Sequence, residues 1–428
     1  MSSDLLRRRR LREVGRGVLL FTALFTALYF FDYQQIQMLF FRRPVPISIR
    51  PEVAHVNCQR LLNNDSSYAR LISHNRLKLV ENPNLSMKCS DIRARIVTGL
   101  NPDRGYPVLF LKNVYRDYEF LEEQLALSYA EENTYCFHVD SKSPVDFYNK
   151  LRCVSKCIPN VIVSYRRYNV DSSGHYQNDA YFHCLNMTRS RPWNYAVFMQ
   201  NHDVLLRTDD ELKRVLRIMN GTNDVLFNNC PKHRCNENID RNLAHMGLCP
   251  RQFAPEKGVY RWYWSVFSDN VCKQLARMGK GFYSIDGVEG NTGLYLGQYG
   301  SDTVTRSVQQ GYAYDEIYMP SLLSTEALEI PGRFTSGAKP RGNTYISRFV
   351  EWILIMKKCR SVHDRHGVCL LGVEYLPILA NSEKIVANKV MPEFDYTAVA
   401  CLNQLLQRRV LGYEESPLNE QFYRQLPQ

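Results

Sequence analysis

Segments with strand and helix patterns alternate along residues 106–219. Compact apolar runs, typical of buried strands, occupy 106–114, 134–144, 161–167 and 194–206. Segments with helical patterns occupy 117–131, 176–189 and 208–219. The last of these helices begins with Thr208 and has Glu211 three residues on, which are the two residues of a capping box. The alternation predicts an α/β fold with a mainly parallel central sheet covered on both faces.

Ligands of such sheets bind beyond the carboxyl ends of the strands, where Asp140 and Asp203 lie. The carboxylate of Asp140, at the end of the second strand, can accept hydrogen bonds from a ribose hydroxyl or a base N–H. It can equally initiate a turn. Asp203 belongs to the triplet Asn201-His202-Asp203 and brings a single carboxylate, whereas a divalent metal requires several converging oxygen ligands. We therefore predict no metal site.

Two further polar residues stand beside apolar or aromatic neighbours. Glu316 forms an acidic pair with Asp315 in a stretch rich in tyrosine, where partial desolvation would suit a general base. A solvated loop acid is the alternative interpretation. Lys389 follows an apolar run and can neutralise a diphosphate in place of a metal, or can simply face water.

The chain has one segment that resembles a membrane span, because no residue from Gly17 to Phe31 is charged. It is shorter than the roughly 20 residues of a typical span, which suits the thinner membranes of the early secretory pathway. Arginines precede it at positions 7–10, 12 and 16, so the positive-inside rule keeps the N-terminus cytoplasmic. A cleaved signal peptide is the alternative, but no small-x-small cleavage site follows. These features predict a cytoplasmic tail (1–16), a signal-anchor helix (17–33), a stem (34–55) and one luminal domain (56–428).

All 13 cysteines lie after this segment, in the part predicted to be luminal. Zinc is disfavoured because Cys230 and Cys235 are too far apart for a Cys-x2-Cys motif, whereas an oxidising lumen favours disulfides. The odd number leaves at least one thiol free or paired with a second copy of the chain. N-glycosylation sequons, also expected on the luminal side, begin at Asn64, Asn84, Asn186 and Asn220.

The net charge of +11 comes partly from the N-terminal tail, so the luminal part is only mildly basic. A nucleic-acid-binding protein would concentrate its positive charge on a folded face, and we therefore exclude that class. A mild positive excess is compatible with an anionic ligand such as a nucleotide diphosphate, and equally with a role in solubility.

Several segments in a fixed order resemble the core-2/I-branching β-1,6-N-acetylglucosaminyltransferase family, which also contains peptide O-xylosyltransferases. The matching segments are YCFHVDSKSP (135–144), SKCIPNVIVS (155–164), WNYAVFMQNHDVLLRT (193–208), YAYDEIY (312–318), RFVEW (348–352), VCLLG (368–372), ANKV (387–390) and AVACL (398–402). The resemblance covers roughly residues 56–410. It implies a GT-A-type nucleotide-sugar domain that acts without a metal.

The resemblance also implies roles for single residues. Glu316 matches the catalytic base, Lys389 a residue that holds the diphosphate, and Asp140 the acid of the uridine pocket. Leu111 falls among the donor-binding positions, and Trp352 matches an aromatic residue that stacks on the acceptor sugar. The family's disulfides would join Cys58–Cys401, Cys89–Cys157, Cys136–Cys184 and Cys359–Cys369. Five cysteines stay outside this pattern: Cys153, Cys230, Cys235, Cys249 and Cys272.

The chain departs from the family at three places near these residues. His366 occupies the position of a second phosphate-binding arginine, although Arg365 stands beside it. Leu354 replaces a tyrosine that contacts the acceptor, and Gln200-Asn201-His202 replaces a glycine-containing triplet before Asp203. These departures concern the diphosphate site and the acceptor.

From the resemblance and the anchor together we expect an inverting, metal-independent glycosyltransferase that is a single-pass type II protein of the Golgi membrane. It would transfer N-acetylglucosamine from UDP-GlcNAc to a glycan hydroxyl and would require no cofactor. Xylosyl transfer from UDP-xylose is one alternative. A luminal glycan-binding protein with a decayed site is another.

Overall fold

The computed structural model describes residues 49–224 and 345–426, apart from Asp103, Ser173, Ser416 and Pro417. The strands are β1 (Val108–Val114), β2 (Thr134–Val139), β3 (Val161–Val163), β4 (Tyr195–Gln200), β5 (Val204–Leu205), β6 (Arg348–Phe349), β7 (Asp364–Arg365), β8 (Val368–Cys369) and β9 (Val386–Ala387). The helices are α1 (Cys58–Leu62), α2 (Ser66–His74), α3 (Cys89–Ile96), α4 (Tyr118–Ser128), α5 (Val145–Cys157), α6 (Gln177–Thr188), α7 (Asp209–Met219), α8 (Ile353–Met356), α9 (Leu376–Ala380), α10 (Pro392–Val410) and α11 (Glu420–Arg424). Two 3₁₀ turns occupy Pro51–Val53 and Val373–Tyr375.

The central sheet has four parallel strands in the order β3-β2-β1-β4, which confirms the predicted α/β architecture. β3 has only three residues and ends at Val163, whereas the predicted strand extended to 167. The Ser164 N–H still donates to the Phe137 carbonyl of β2 at 2.8 Å, and the Ser164 hydroxyl donates to the Arg166 carbonyl at 2.6 Å in the turn that follows. The sequence analysis did not predict α5 or the long C-terminal helix α10.

Both faces of the central sheet are covered. On one face Leu109, Leu111 and Cys136 pack with residues of α6 such as Tyr181. On the other face the alternate strand residues, such as Phe110, belong to the main core. Side chains alternate between the faces of a strand, so consecutive apolar residues supply both cores. The predicted capping box opens α7, where Thr208 Oγ1 accepts from the Glu211 N–H and the Glu211 carboxylate accepts from the Thr208 N–H.

Within the described residues there are four disulfides, and they are the pairs that the family resemblance implied: Cys58–Cys401, Cys89–Cys157, Cys136–Cys184 and Cys359–Cys369. The first joins α1 to α10 across 343 positions of sequence, and the third joins β2 to α6. Cys153 on α5 is the free cysteine in the part of the chain that the structure describes. Cys230, Cys235, Cys249 and Cys272 lie outside that part.

A small second sheet of order β5-β9-β6 brings distant parts of the chain beside the end of β4. In it β9 pairs antiparallel with β5 and parallel with β6. The hairpin of β7 and β8 follows β6 and carries Arg365. None of the helices described here is long and apolar enough to cross a bilayer, and the predicted anchor at 17–33 lies outside the described residues.

Candidate active site

A cavity of about 710 Å³ opens at the carboxyl ends of the central strands. Its wall combines the segment after β1, the segment after β2, the start of α6, the turn after β4 and the second small sheet with the β7–β8 hairpin. This is the edge of the sheet at which ligands of parallel α/β folds bind.

The cavity brings together five residues that the sequence analysis had placed in the donor and acceptor sites: Asp140, Trp352, Arg365, His366 and Lys389. They come from segments up to about 250 positions apart in the chain, and the fold places them around one cavity. Their roles in binding stay predictions. Glu316, the predicted base, lies outside the described residues.

Leu111, also among the predicted donor-binding positions, does not have its side chain at the cavity. It is completely buried in the cluster beneath α6 and does not line the cavity wall. Asn113, two residues further on the same face of β1, does line it. The difference arises because α6 begins at Gln177 and covers Leu111, whereas Asn113 lies at the end of the strand, where its amide donates to the Gln177 carbonyl at 3.1 Å.

Asp140 follows β2 directly and is 7 % exposed. Its Oδ1 accepts from the Lys142 N–H at 2.7 Å, so the carboxylate makes the turn that the alternative interpretation expected. Lys142 Nζ lies 3.3 Å from Oδ2. The Arg167 guanidinium donates to the Asp140 carbonyl at 2.8 Å and holds this backbone in place. Asp140 therefore both forms the turn after β2 and lines the cavity.

Basic residues gather at the part of the cavity formed by the β7–β8 hairpin and the segment after β9. The pKa of His366 is lowered, mainly by burial and also by the positive charges of Lys389 and Arg365. The lowered pKa favours the neutral ring of His366, which supplies a hydrogen-bonding group at the position where the resemblance implied an arginine. Lys389 is fixed through its backbone, because its carbonyl accepts from the Leu371 N–H at 2.9 Å.

Asp203 is completely buried, and both of its carboxylate oxygens have protein partners. Arg348 Nη2 lies 2.7 Å from Oδ2, and the Asn388 side-chain amide donates to Oδ1 at 2.7 Å. The Gln200 N–H also donates to Oδ2 at 2.6 Å. The carboxylate therefore holds two cavity residues, Arg348 and Asn388, in position. The sequence analysis missed both, although they stand within the RFVEW and ANKV segments that it quoted.

One group of side chains in the described part of the chain has the composition of a metal site. Ligand atoms of Asp117, His202 and Glu393 lie within 4.8 Å of one another. The Arg116 guanidinium, however, contacts Glu393 and lies 3.4 Å from the Asp117 carboxylate. Burial lowers the pKa of His202, and its Nε2 lies 2.8 Å from Asp117 Oδ2. Because Arg116 already supplies a positive charge to these two carboxylates, the group is poorly suited to a divalent cation.

Comparison with known proteins finds a family match for the part of the chain that forms one side of this cavity. The family model of the Core-2/I-Branching enzyme matches residues 108–258, which include β1, β2 and β4. This part of the chain is therefore similar to the core-2/I-branching enzyme domain. This confirms the family resemblance drawn from the quoted segments.

Similarity to whole proteins extends over most of the chain. The human β-1,3-galactosyl-O-glycosyl-glycoprotein β-1,6-N-acetylglucosaminyltransferase is 23 % identical over 83 % of this chain and 86 % of its own length. The human enzyme of the same description that carries the number 3 is 22 % identical over 72 % of this chain and 69 % of its own length. The mouse N-acetyllactosaminide β-1,6-N-acetylglucosaminyl-transferase is 22 % identical over 83 % of this chain and 86 % of its own length. The core-2/I-branching domain and these relatives support a glycosyltransferase.

Proposed function

We propose that this core-2/I-branching protein is an inverting β-1,6-type N-acetylglucosaminyltransferase that uses UDP-GlcNAc and a glycan hydroxyl. The observation that carries the proposal is the single cavity in which Asp140, Trp352 and Lys389 meet at the carboxyl ends of parallel strands. An acid for the nucleoside, a cation for the diphosphate and an aromatic face for the acceptor are the parts that this reaction needs. The parallel sheet and its site fit a GT-A-type domain.

The proposed reaction is a single displacement. Glu316 takes the proton of the acceptor hydroxyl, whose oxygen attacks the anomeric carbon from the face opposite the diphosphate. The new bond between carbon and the acceptor oxygen forms as the bond to UDP breaks, and UDP leaves with the electron pair and its negative charge. General bases of this kind typically contribute about 10²–10⁴ to the rate.

Departure of UDP requires positive charge at the diphosphate. Lys389 and Arg365 line the cavity and can supply it without a metal ion. Charge that is already in place where negative charge develops is among the strongest contributions to catalysis. The neutral His366 can add a hydrogen bond but not a full charge.

The acceptor side differs from that of the relatives, so we propose a different acceptor preference. The names of the relatives describe acceptors that carry β-1,3-galactose or N-acetyllactosamine. Trp352 offers this chain a flat face for a sugar, but Leu354 has no hydroxyl with which to replace the tyrosine of the family. A site that loses a hydrogen-bonding group discriminates less strongly. We expect the core-1 disaccharide to be a poor acceptor.

For its location we propose a single-pass type II protein of the Golgi membrane, anchored by residues 17–33 with the catalytic domain luminal. Disulfides in the domain support an oxidising compartment. The four sequon asparagines, Asn64, Asn84, Asn186 and Asn220, are all exposed. They are therefore accessible to glycosylation.

The proposal is tested by a donor screen on the full-length chain purified in detergent. Labelled UDP-GlcNAc, UDP-xylose and UDP-galactose are offered with a panel of glycan acceptors. We expect transfer from UDP-GlcNAc, and we expect Lys389→Gln to lower the rate at least about 10-fold. The matched control is Lys156→Gln, an exposed lysine on α5 away from the cavity. Transfer from UDP-xylose alone would establish the xylosyltransferase alternative, and nucleotide or glycan binding without turnover would establish the binding protein.

A further inference from the structure

Exposed apolar side chains are concentrated in one short segment beside the cavity, residues 353–362, which we call the α8 loop. In it Ile355 is 76 % exposed, Met356 43 % and Val362 66 %. The other large hydrophobic residues that are exposed in the described part of the chain stand singly along the sequence. Single exposed hydrophobic residues are normal, whereas a concentration of them marks a contact surface.

The domain holds the α8 loop at alternate positions. A disulfide ties Cys359 to Cys369, and the Ser361 hydroxyl donates to the Leu370 carbonyl at 2.6 Å. Cys359 and Ser361 are both buried. The residues that alternate with them are exposed: Lys358, Arg360 and Val362. The outward direction of these side chains is therefore fixed by the inward anchoring of their neighbours.

Val362 has a backbone conformation that valine rarely adopts. Its φ is 66°, in the left-handed region, where a β-branched side chain is strained. Its side chain is also largely exposed, so packing within the described domain does not explain a valine at this position. Strained residues concentrate at functional sites. A partner that accepts an apolar side chain from outside would account for both properties.

Positive charge surrounds these apolar side chains. The α8 loop contains Lys357, Lys358 and Arg360 and no acidic residue. All three basic side chains are exposed, and none of them forms an ion pair with another described residue. Segments that lie at a bilayer surface combine apolar side chains, which enter the boundary between headgroups and acyl chains, with basic side chains on anionic headgroups. Long basic side chains suit this position because their apolar stems can be buried while the charge stays in water.

The size of the loop and its connection to the chain favour a bilayer over a protein as the occupant. A stable protein interface takes about 20–30 residues a side, and the α8 loop is much smaller. The proposed anchor ends at residue 33, and the described domain begins at residue 49. Whatever its conformation, the chain between them reaches at most about 55 Å. A domain tethered so closely to a bilayer needs only a weak contact to dock on it.

We propose that the α8 loop docks the domain on an anionic bilayer surface, with its apolar side chains at the headgroup boundary and its basic side chains on anionic headgroups. This inference goes beyond the proposed activity and takes its tether from the proposed anchor at 17–33. Trp352 is the N-cap residue of α8 and lines the cavity. Docking therefore sets the predicted acceptor side of the cavity beside the membrane.

The test is photo-crosslinking of the full-length chain in phosphatidylcholine vesicles that contain about one fifth phosphatidylglycerol. A trace of photoactivatable phosphatidylcholine labels the protein, and peptide mass spectrometry maps the lipid adducts. We expect adducts on the α8 loop and on residues 17–33, and few on peptides with Leu71 or Val80, which are similarly exposed but stand alone. Vesicles without phosphatidylglycerol should lower the loop adducts at least about 3-fold and leave the anchor adducts unchanged.

Two double variants separate the apolar contribution from the basic one. Ile355→Ser/Met356→Ser should lower the loop adducts at least about 3-fold in both kinds of vesicle, because it removes the apolar contact. Lys357→Gln/Lys358→Gln should remove most of the dependence on phosphatidylglycerol. All four side chains are exposed, and thermal unfolding of each variant verifies that the fold is kept.

The matched controls are Val80→Ser and Lys156→Gln, which change an exposed valine and an exposed lysine outside the loop. Neither should alter the loop adducts or their dependence on phosphatidylglycerol. Unchanged loop adducts in folded Ile355→Ser/Met356→Ser would overturn the inference.

The outcomes separate the inference from the proposed anchor. Adducts on residues 17–33 but not on the α8 loop overturn the inference and leave the anchor in place. Adducts on the loop alone support docking and overturn the anchor, and adducts on neither overturn both. Amine-reactive cross-links from Lys357 or Lys358 to a second copy, or to the chain's own residues 225–344, would assign the loop to that occupant if lipid adducts were absent, and would also overturn the inference.

Discussion

Arg348 Nη2 lies 2.7 Å from Asp203 Oδ2, and this buried ion pair joins the turn after β4 to the second small sheet at the cavity wall. The Asp203 carboxylate also receives the side-chain amide of Asn388, the residue before Lys389. The one acid of this turn therefore organises two segments of the cavity. Both oxygens of the Asp203 carboxylate have protein partners, so neither is available to a metal.

Replacement of Asp203 by Asn should destabilise the protein strongly. It removes the negative charge beside the largely buried Arg348, and breaking a buried pair in this way typically costs about 3–5 kcal/mol. We expect the free energy of unfolding, measured in urea, to fall by an amount of that order. The control is Asp210→Asn, since Asp210 and its partner Arg104 are both about half exposed and such pairs contribute about 0–1 kcal/mol. Equal effects of the two substitutions would contradict the assigned role of Asp203.

Transfer should persist in excess EDTA. Lys389 and Arg365 supply the positive charge at the cavity, and Asp203 is committed to Arg348 and Asn388. A glycosyltransferase known to require Mn²⁺ serves as the positive control for chelation. Loss of activity that Mn²⁺ restores would show that a metal is needed, and Asp117→Asn would then test the group of Asp117, His202 and Glu393.

Glu316→Gln should abolish most of the turnover while UDP still binds. The substitution keeps the shape of the side chain but removes the proton acceptor, so we expect kcat to fall at least about 100-fold. Asp315→Asn, at the neighbouring acid, is the control and should have a smaller effect. A Gln variant with kcat near that of the wild type would exclude Glu316 as the base.

Trp352→Ala should raise the KM for the acceptor more than the KM for the donor. Trp352 lines the cavity and is partly exposed, as a sugar-stacking residue must be. The control is Trp193→Ala, because Trp193 is exposed and lies away from the cavity. If Trp352 is instead a packing residue, the alanine variant will lose thermal stability and will show no selective change in acceptor KM.

Two of the disulfides should have different consequences when they are removed. The Cys58–Cys401 bridge spans 343 positions and Cys359–Cys369 spans 10, so chain entropy makes the first more stabilising by up to about 3 kcal/mol. The second bridge encloses the hairpin that carries Arg365 and His366. We expect the Cys58→Ala/Cys401→Ala variant to have the lower melting temperature. The Cys359→Ala/Cys369→Ala variant should lose more affinity for UDP. If the two double variants lost equal amounts of melting temperature and of UDP affinity, the assigned roles of the two bridges would be contradicted.

The sequence by itself determined the strands β1 to β4 and the helices α4, α6 and α7, the capping box of α7 and the place of Asp140, but it missed α5. These features depend on short-range periodicity or on a residue's position at the end of a strand. The same local reasoning made β3 too long, because it did not anticipate the turn that Ser164 closes with Arg166. The family resemblance supplied the disulfide pairs, which spacing alone could not.

Only the tertiary structure decided which polar residues meet. Arg348 and Asn388 reach Asp203 across 145 and 185 positions of sequence, and no local pattern encodes such partners. Leu111 and Asn113 share one face of β1, yet the position at which α6 begins buries the first in the core and leaves the second at the cavity. A side chain's environment depends on what packs against its strand. That is a property of the folded chain, since residues far apart in sequence supply the packing surface.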